Sequence, residues 1–246
     1  MPASLIPGTY NARDVGGAPL ESGGAVATGV LLRADALAAV TDEGVRRMQE
    51  LGVRTVVDLR TTQERTAFPD RHPAGADVLA LSVLEGALPV GPGVAPRTEI
   101  PGMDAVYALM LEHGGSAFAE IARRVSRTVE GESVLVHCTA GKDRTGVSVA
   151  LLLEAVGTRR DAVLDDYELS QSQLAGEWAE RMIRGMVADG APDTPQLRIL
   201  VTETPREVLA TALAAVDETH GGAAAYLQAH GLTDEELAAL RERLGS

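Results

Sequence analysis

The segment SVLVHCTAGKDRTGVSVALLLEAV, residues 133–156, constrains the fold of this chain more than any other stretch. It opens with a short apolar run, 133–137, of the kind that forms buried strands. A loop rich in glycine and charged residues follows, and then a second apolar run, 145–156, which ends at Gly157 and is long enough for a helix. The segment therefore predicts a strand, a tight loop and a helix in direct succession, as in α/β sheets.

The first half of the chain repeats this alternation. Residues 30–37, 53–60 and 76–83 are predicted strands, and 42–51 is a predicted helix that begins after Thr41. Strand, helix and strand in this order indicate parallel strands joined by crossover connections.

The remainder of the chain is mostly helical. The segment 85–102 is dense in proline and glycine and predicts a loop. Further helices are predicted near 103–113, 116–130, 159–169, 173–189, 206–219, 222–229 and 234–244. We therefore predict a single α/β domain over residues 1–246, with a central, mainly parallel sheet flanked by helices and a helix-rich C-terminal part.

The loop after the strand at 133–137 contains Cys138, the only cysteine of the chain. A helix start presents backbone N–H groups and a partial positive charge, which bind phosphate and also favour a thiolate. A thiolate that faces a bound phosphorus atom can attack it and form a covalent intermediate. We therefore predict that Cys138 is a nucleophile. The predicted phosphate-binding residues are Thr139, Ala140, Gly141, Lys142, Asp143 and Arg144.

Three residues of this loop have more specific predicted roles. Arg144 offers a planar fork to two oxygens of the phosphate as charge moves onto them. Gly141 lets the backbone turn tightly and approach the ligand. The hydroxyl of Thr145 is predicted to donate a hydrogen bond to Cys138 Sγ.

Other interpretations of the loop fit less well. A nucleotide-binding loop of the form G-x-x-x-x-G-K-[ST] fails, because Val136 stands where the first glycine belongs and Asp143 follows Lys142. A metal site would need local partners for His137 and Cys138, and the neighbouring sequence offers none. An inert core cysteine is common in general, but polar and glycine residues follow Cys138 here.

The charge of the chain limits its partners. The net charge is −13, from 22 Lys+Arg and 35 Asp+Glu, which opposes binding to nucleic acid or to an anionic membrane. No run approaches the roughly 18 apolar residues that span a bilayer, and no signal-peptide pattern is present. These features predict a cytoplasmic protein without nucleic-acid partners or stable membrane insertion, with unconventional secretion as the alternative.

The sequence HCTAGKDRTG, residues 137–146, resembles the signature of cysteine-dependent phosphatases: His-Cys, five residues, Arg, then Ser or Thr. Its Gly-Lys-Asp-Arg-Thr-Gly form is similar to the atypical bacterial tyrosine and phosphoinositide phosphatases of the secreted mycobacterial phosphatase B type. NARDVGG at 11–17 resembles another segment of that branch, with Ala12 in place of an aromatic residue. The segments LLRADAL, VVDLRTTQE and LLLEAVG match as well, so the resemblance extends over nearly the full length.

This resemblance implies a phosphomonoester hydrolase that forms a cysteinyl-phosphate and uses no metal or other cofactor. The implied substrates are phosphotyrosine proteins, with dual specificity or phosphoinositide activity in addition, and Lys142 would supply a second cation for multiply charged head groups. Two alternatives stay open. One is the same chemistry on a small phosphorylated metabolite, such as a sugar or nucleoside phosphate, and the other is an inactive phosphate-binding module. The oligomeric state is not indicated.

The general acid is not fixed by the sequence, because the Trp-Pro-Asp motif of better-known tyrosine phosphatases is absent. Asp143 is the first candidate, and its alternative role is an ion pair that shapes the loop. Glu85 and Asp58 are further candidates, with a solvated loop residue and a structural strand end as their alternative roles. Arg60 follows Asp58 at the carboxyl end of a predicted parallel strand, which is the functional edge of such sheets.

Supporting residues come from the flanks of the loop and from the N-terminus. Arg13 and Asp14 are predicted either to pair with each other or to reach the site. His137 is predicted to order the loop by hydrogen bonds. By analogy with the family, segments 85–102 and 170–190 are candidates for a cover over the site.

Overall fold

The computed structural model describes residues 4–85, 102–188 and 190–245. The strands of this part are β1 (Arg13–Asp14), β2 (Leu31–Ala34), β3 (Val53–Asp58), β4 (Asp77–Ala80) and β5 (Ser133–His137). They form one sheet in the order β1-β2-β5-β3-β4, with β5 at its centre. The β1–β2 pair is antiparallel, and the β2–β5, β5–β3 and β3–β4 pairs are parallel. The predicted fold class, a mainly parallel sheet with flanking helices, is confirmed.

Most of the remaining described residues lie in helices. They are α1 (Asp42–Glu50), α2 (Thr62–Ala67), α3 (Met103–His113), α4 (Gly115–Ser126), α5 (Asp143–Ala155), α6 (Arg160–Leu174), α7 (Glu177–Ala188), α8 (Pro195–Thr202), α9 (Arg206–His220), α10 (Ala223–Ala229) and α11 (Asp234–Leu244). The part of the chain after α5 is helical, as predicted.

Several elements differ from the sequence prediction. The strand β1 and the helices α2 and α8 were not predicted, because each is shorter than the stretch over which a hydrophobic period can be recognised. The helix predicted over 173–189 begins only at Glu177, because α6 continues to Leu174. Gly176, with a φ of 82°, separates the two helices. The loop predicted at 85–102 lies, except for its two end residues, outside the described residues.

Both faces of the sheet are buried at its centre, which explains why β5 is apolar on both sides. Val134 and Val136 point into a large core formed with α3, α4, α5 and α9–α11. Leu135, one residue out of phase, points into a smaller core on the opposite face, which contains Met48 of α1. Strands covered by helices on both faces read as continuous apolar runs rather than alternating ones.

The helix α5 carries much of the large core. Leu151, Leu152 and Leu153 are all fully buried. Burying a leucine side chain stabilises a fold by roughly 1.5–3 kcal/mol, so these three anchor α5 firmly beneath the loop that precedes it.

The helices α7 and α8 pack on each other around a third, separate apolar cluster. Its buried members include Trp178 and Leu197, and Tyr10 and Ala140 pack against it from the rest of the molecule. Ala140 belongs to the loop between β5 and α5, so this helix pair lies against that loop. No helix of the described residues is long and apolar enough to cross a membrane.

Candidate active site

The loop 138–142 connects the carboxyl end of β5 to the first turn of α5, at the centre of the sheet. The carboxyl edge of a parallel sheet is where α/β proteins bind ligands. Gly141 adopts a φ of 64°, and a Cβ at this position would lie 2.2 Å from Ala34 O. The loop therefore requires glycine here for its backbone angle and for its close approach to β2.

The nucleophile candidate Cys138 lies inside this loop and is only 2% exposed. Its Sγ accepts a hydrogen bond from the Gly141 N–H at 3.2 Å. In the described residues, no side chain caps the start of α5. The first N–H groups of the helix are thus left for a ligand, and with the helix dipole they form an anion-binding position beside the sulfur.

Arg144 is held in a two-point ion pair by Glu64 of α2. Its Nη1 donates to Glu64 Oε2 at 2.7 Å, and its Nη2 donates to Glu64 Oε1 at 2.8 Å. Thr139 of the loop donates its hydroxyl to Glu64 Oε1 at 2.5 Å. Burial acts to raise the pKa of Glu64, but the Arg144 hydrogen bonds and charge outweigh it and lower the pKa to about 2. The guanidinium is fixed in place before any substrate arrives.

Glu64 is a site residue that the sequence analysis missed. A signal for it was present, because Thr61 and Glu64 form a capping box at the start of α2. Glu85 adds to the same helix start: its Oε2 accepts the Thr62 N–H at 3.0 Å. The structure therefore places Glu85 at the N-terminus of α2, the helix that carries Glu64. Glu85 binds the backbone of this helix and so has a partner besides the solvent.

Asp143, the first candidate for the general acid, contacts Tyr107, which in turn contacts Tyr167; the sequence analysis missed both tyrosines. The Tyr107 hydroxyl donates to Asp143 Oδ1 at 2.9 Å, and its oxygen lies 2.7 Å from that of Tyr167. Both tyrosines are 1% exposed. Burial, together with the Asp143 charge, raises the pKa of each tyrosine, so both remain protonated donors. Asp143 itself keeps a side-chain exposure of 24%, and its Oδ1 also lies 3.5 Å from Lys142 Nζ, as expected for its alternative role in an ion pair.

Lys142 does not present its ammonium group as a second cation for substrate, and this expectation is wrong for the described structure. The side chain is 1% exposed, and its Nζ donates to Leu200 O at 2.8 Å and to Glu203 O at 2.7 Å. These carbonyls end α8, where the negative end of the helix dipole attracts a cation. Lys142 thus fastens α8 to the loop, while its backbone N–H stays available.

The predicted hydrogen bond from Thr145 to Cys138 Sγ is not formed either. Thr145 is fully buried in the first turn of α5, and its Oγ1 has no hydrogen-bond partner among the residues that the structure describes. The Gly141 N–H supplies the contact to sulfur instead.

A buried ion-pair cluster lies at the ends of β3 and β5. Arg60 Nη2 contacts Asp58 Oδ2 at 2.7 Å and Asp70 Oδ2 at 2.5 Å, and His137 Nε2 lies 3.2 Å from the same Asp70 oxygen. His137 Nδ1 also lies 3.3 Å from Cys138 O. Burial opposes ionisation of Asp70, but His137 and Arg60 outweigh it and lower its pKa.

The side chains of this cluster pair with one another, which indicates a structural role. Ligand atoms of Asp58, Asp70 and His137 lie within 4.8 Å of one another, a spacing that a metal ion could use. The guanidinium of Arg60 already bridges the two carboxylates and occupies the space between them, so the residues present do not form an open metal site. Asp58 is 2% exposed and fully engaged by Arg60, which removes it from the candidates for the general acid.

Arg13 and Asp14 of the NARDVGG segment bond to different partners rather than to each other. Arg13 Nε donates to Asp166 Oδ1 of α6 at 2.8 Å. Asp14 accepts the N–H groups of Gly16 at 2.9 Å and of Gly29 at 2.6 Å, which closes a turn. Arg13 is therefore bound to α6 through Asp166, whereas Asp14 stabilises a turn and, among the described residues, makes no hydrogen bond to the loop 138–142.

The comparisons with known proteins agree with this site. The family model described as the tyrosine phosphatase family matches residues 5–246. The chain is 29% identical, over 281 aligned positions, to the triple specificity protein phosphatase PtpB of Mycobacterium tuberculosis, with 98% of each chain covered. It is 28% identical, over 236 positions, to a tyrosine-protein phosphatase of Nostoc commune, with 90% of this chain and 76% of that one covered. The resemblance stated from the sequence is confirmed, and the chain belongs to the tyrosine phosphatase family of phosphoric monoester hydrolases.

Proposed function

We propose that this phosphatase works through a cysteinyl-phosphate intermediate with Cys138 as the nucleophile. The observation that carries this proposal is the position of Cys138 Sγ, which accepts the Gly141 N–H at 3.2 Å inside an anion-binding loop at the start of α5. Donors that point at the sulfur stabilise a thiolate, and the same donors fit the oxygens of a phosphate.

The proposed reaction has two steps. In the first, the Cys138 thiolate attacks phosphorus, the bond from phosphorus to the ester oxygen breaks, and that oxygen takes a proton from a general acid, for which we propose Asp143. Arg144 and the loop N–H groups bind the equatorial oxygens as charge moves onto them. In the second, water attacks phosphorus and gives its proton to the Asp143 carboxylate, the phosphorus–sulfur bond breaks, and inorganic phosphate leaves with the thiolate restored.

For the substrate we propose phosphotyrosine proteins first, with phosphoserine, phosphothreonine and phosphoinositides as further substrates. The name of the Mycobacterium tuberculosis relative, a triple specificity phosphatase, supports activity on more than one class. The buried ammonium of Lys142 does not add support for phosphoinositides, because it is already bonded to two carbonyls of the α8 end.

We further propose that residues 1–246 form one domain and that the protein acts in the cytoplasm. The family match over 5–246 supports the single domain, as does the large core that joins the sheet to α3–α5 and α9–α11.

Phosphate release tests this function, with a phosphotyrosine peptide, a phosphoserine peptide, a soluble phosphoinositide and a sugar phosphate as substrates. We expect turnover of the phosphotyrosine peptide and none with Cys138→Ser, and a chelator is expected to leave the rate unchanged. Acid quenching of a reaction on radiolabelled substrate is expected to trap label on wild type but not on Cys138→Ser. Equal turnover by both proteins would exclude the cysteine mechanism.

A further inference from the structure

Asn11 reaches the phosphate-binding loop from behind. It precedes β1, is fully buried, and therefore has no contact with solvent or substrate. Its Nδ2 donates to two successive loop carbonyls, Ala140 O at 2.9 Å and Gly141 O at 3.1 Å. A side-chain amide carries two N–H donors, so both are used on the loop.

The orientation of this amide group is itself fixed. Asn11 Oδ1 accepts a hydrogen bond from Arg13 Nη1 at 2.5 Å, which assigns the oxygen to one side and the nitrogen to the loop. The Asn11 N–H donates to Asp35 Oδ1 at 2.8 Å. Asn11 is thus held at both its backbone and its side chain.

Arg33 of β2 holds the same part of the loop. Its Nη2 donates to Gly141 O at 2.7 Å, and its Nη1 contacts Asp166 Oδ2 at 2.5 Å. Arg33 is fully buried and lies opposite Arg13 in the β1–β2 pair. Two loop carbonyls are therefore bound by donors from Asn11 and Arg33 together.

The geometry of the peptide bond links these carbonyls to the active face of the loop. In a planar trans peptide the C=O of one residue and the N–H of the next point in opposite directions, and the described chain has no cis peptide bonds. With Ala140 O bound by Asn11, the Gly141 N–H points to the other side, where it meets Cys138 Sγ at 3.2 Å. With Gly141 O bound in the same way, the Lys142 N–H is turned toward that side as well.

We infer that Asn11 is a positioning residue, which turns the Gly141 and Lys142 amides toward Cys138 and the bound phosphate without touching either. This inference rests on the proposed function, because it assumes that the loop amides bind the phosphate group. Without Asn11 the two peptide units are less constrained, and their N–H groups spend less time aimed at the oxyanion. The loss then falls on phosphate binding more than on the fold.

The test measures oxyanion affinity in a Cys138→Ser background by titration calorimetry, with tungstate as the tetrahedral probe. Asn11→Ala is expected to raise the dissociation constant for tungstate about ten-fold or more, because the Gly141 and Lys142 N–H groups are no longer held toward the anion. Asn11→Ser keeps one donor and is expected to recover part of the affinity. Asp14→Ala is the matched control, because it also loses two side-chain contacts to backbone but none to the loop. Its affinity is expected to stay within two-fold.

The titration also separates folding from positioning. A partly unfolded variant lowers the binding stoichiometry, whereas lost positioning weakens the affinity of the molecules that are folded. An Asn11→Ala affinity within two-fold of the parent would overturn the inference alone. Failure of the Cys138→Ser parent itself to bind tungstate would overturn the phosphate-binding loop of the proposed function, and the inference with it.

Discussion

The ion pair between Glu64 and Arg144 offers the sharpest test of how this site is built, through the substitution Glu64→Gln. The side chain keeps its size and one acceptor oxygen but loses the charge that holds the guanidinium at two points. The arginine is then free to sample rotamers that do not face the phosphate.

The size of the effect follows from the pKa of Glu64, which drops from 4.5 to about 2 in the folded protein. A shift of about 2.5 pH units corresponds to about 3.4 kcal/mol between the two protonation states. The Glu64 side chain is 30% exposed, so solvent screening reduces this to about 1.5–2 kcal/mol of folding free energy. We expect Glu64→Gln to lose that stability and to lower kcat/KM about ten-fold, as for one hydrogen bond to a charged group.

The assay is urea unfolding at pH 6.5 and pH 3, together with turnover of p-nitrophenyl phosphate. The pKa of Glu64 is depressed in the folded state, so its stability is present above about pH 4.5 and is lost as the pH falls toward about 2. The stability gap between wild type and Glu64→Gln is therefore expected to shrink at pH 3. Glu50→Gln is the control, because its Arg47 partner is at 3.0 Å with side chains 40% and 65% exposed, and such a pair contributes under about 0.5 kcal/mol. A kcat/KM for Glu64→Gln equal to or above that of wild type would refute the reasoning.

Two further substitutions probe the support of the loop. Gly141→Ala places a side chain at a φ of 64° and a Cβ 2.2 Å from Ala34 O, so it is expected to lose oxyanion binding and more stability than Gly75→Ala. Gly75 has a φ of 83° with nothing within 4 Å, so only the cost of the backbone angle, about 1 kcal/mol, applies there; equal losses in thermal unfolding would contradict this. Burial raises the pKa of Asp35 from 3.8 to about 6, so folding favours the protonated carboxyl. The stability that this gives the folded protein is present below about pH 3.8 and is lost as the pH rises through about 6. In urea unfolding, Asp35→Asn is therefore expected to be about 2–3 kcal/mol more stable than wild type at pH 8 and similar to it at pH 4. Equal stability of the two proteins at pH 8 would argue against a raised pKa of Asp35.

The elements that the sequence predicted well are those with long or distinctive local patterns. The strand at 133–137 and the helix over 145–156 were expected from their apolar runs, and the structure has β5 at Ser133–His137 and α5 at Asp143–Ala155. The loop between them was recognisable because Cys138 and Arg144 lie within seven residues, so a local backbone path is enough to bring them together.

The partners of the loop could not be predicted in this way, because they come from distant parts of the chain. Glu64 lies 80 residues from Arg144, and Asn11 lies 129 residues from Ala140. Glutamate and asparagine are common on protein surfaces, so nothing in their local sequence distinguishes a buried contact from a solvated one.

Lys142 shows the same limit in the opposite direction. Its place in the loop suggested a cation for the substrate, yet the end of α8 passes close enough to accept its ammonium group at Leu200 O and Glu203 O. The sequence by itself determined the strand, the loop and the helix, because these depend on neighbouring residues. Only the tertiary structure decided which charges face the substrate and which support the loop, because a buried charge takes whichever partners the packing of distant segments brings within hydrogen-bond distance.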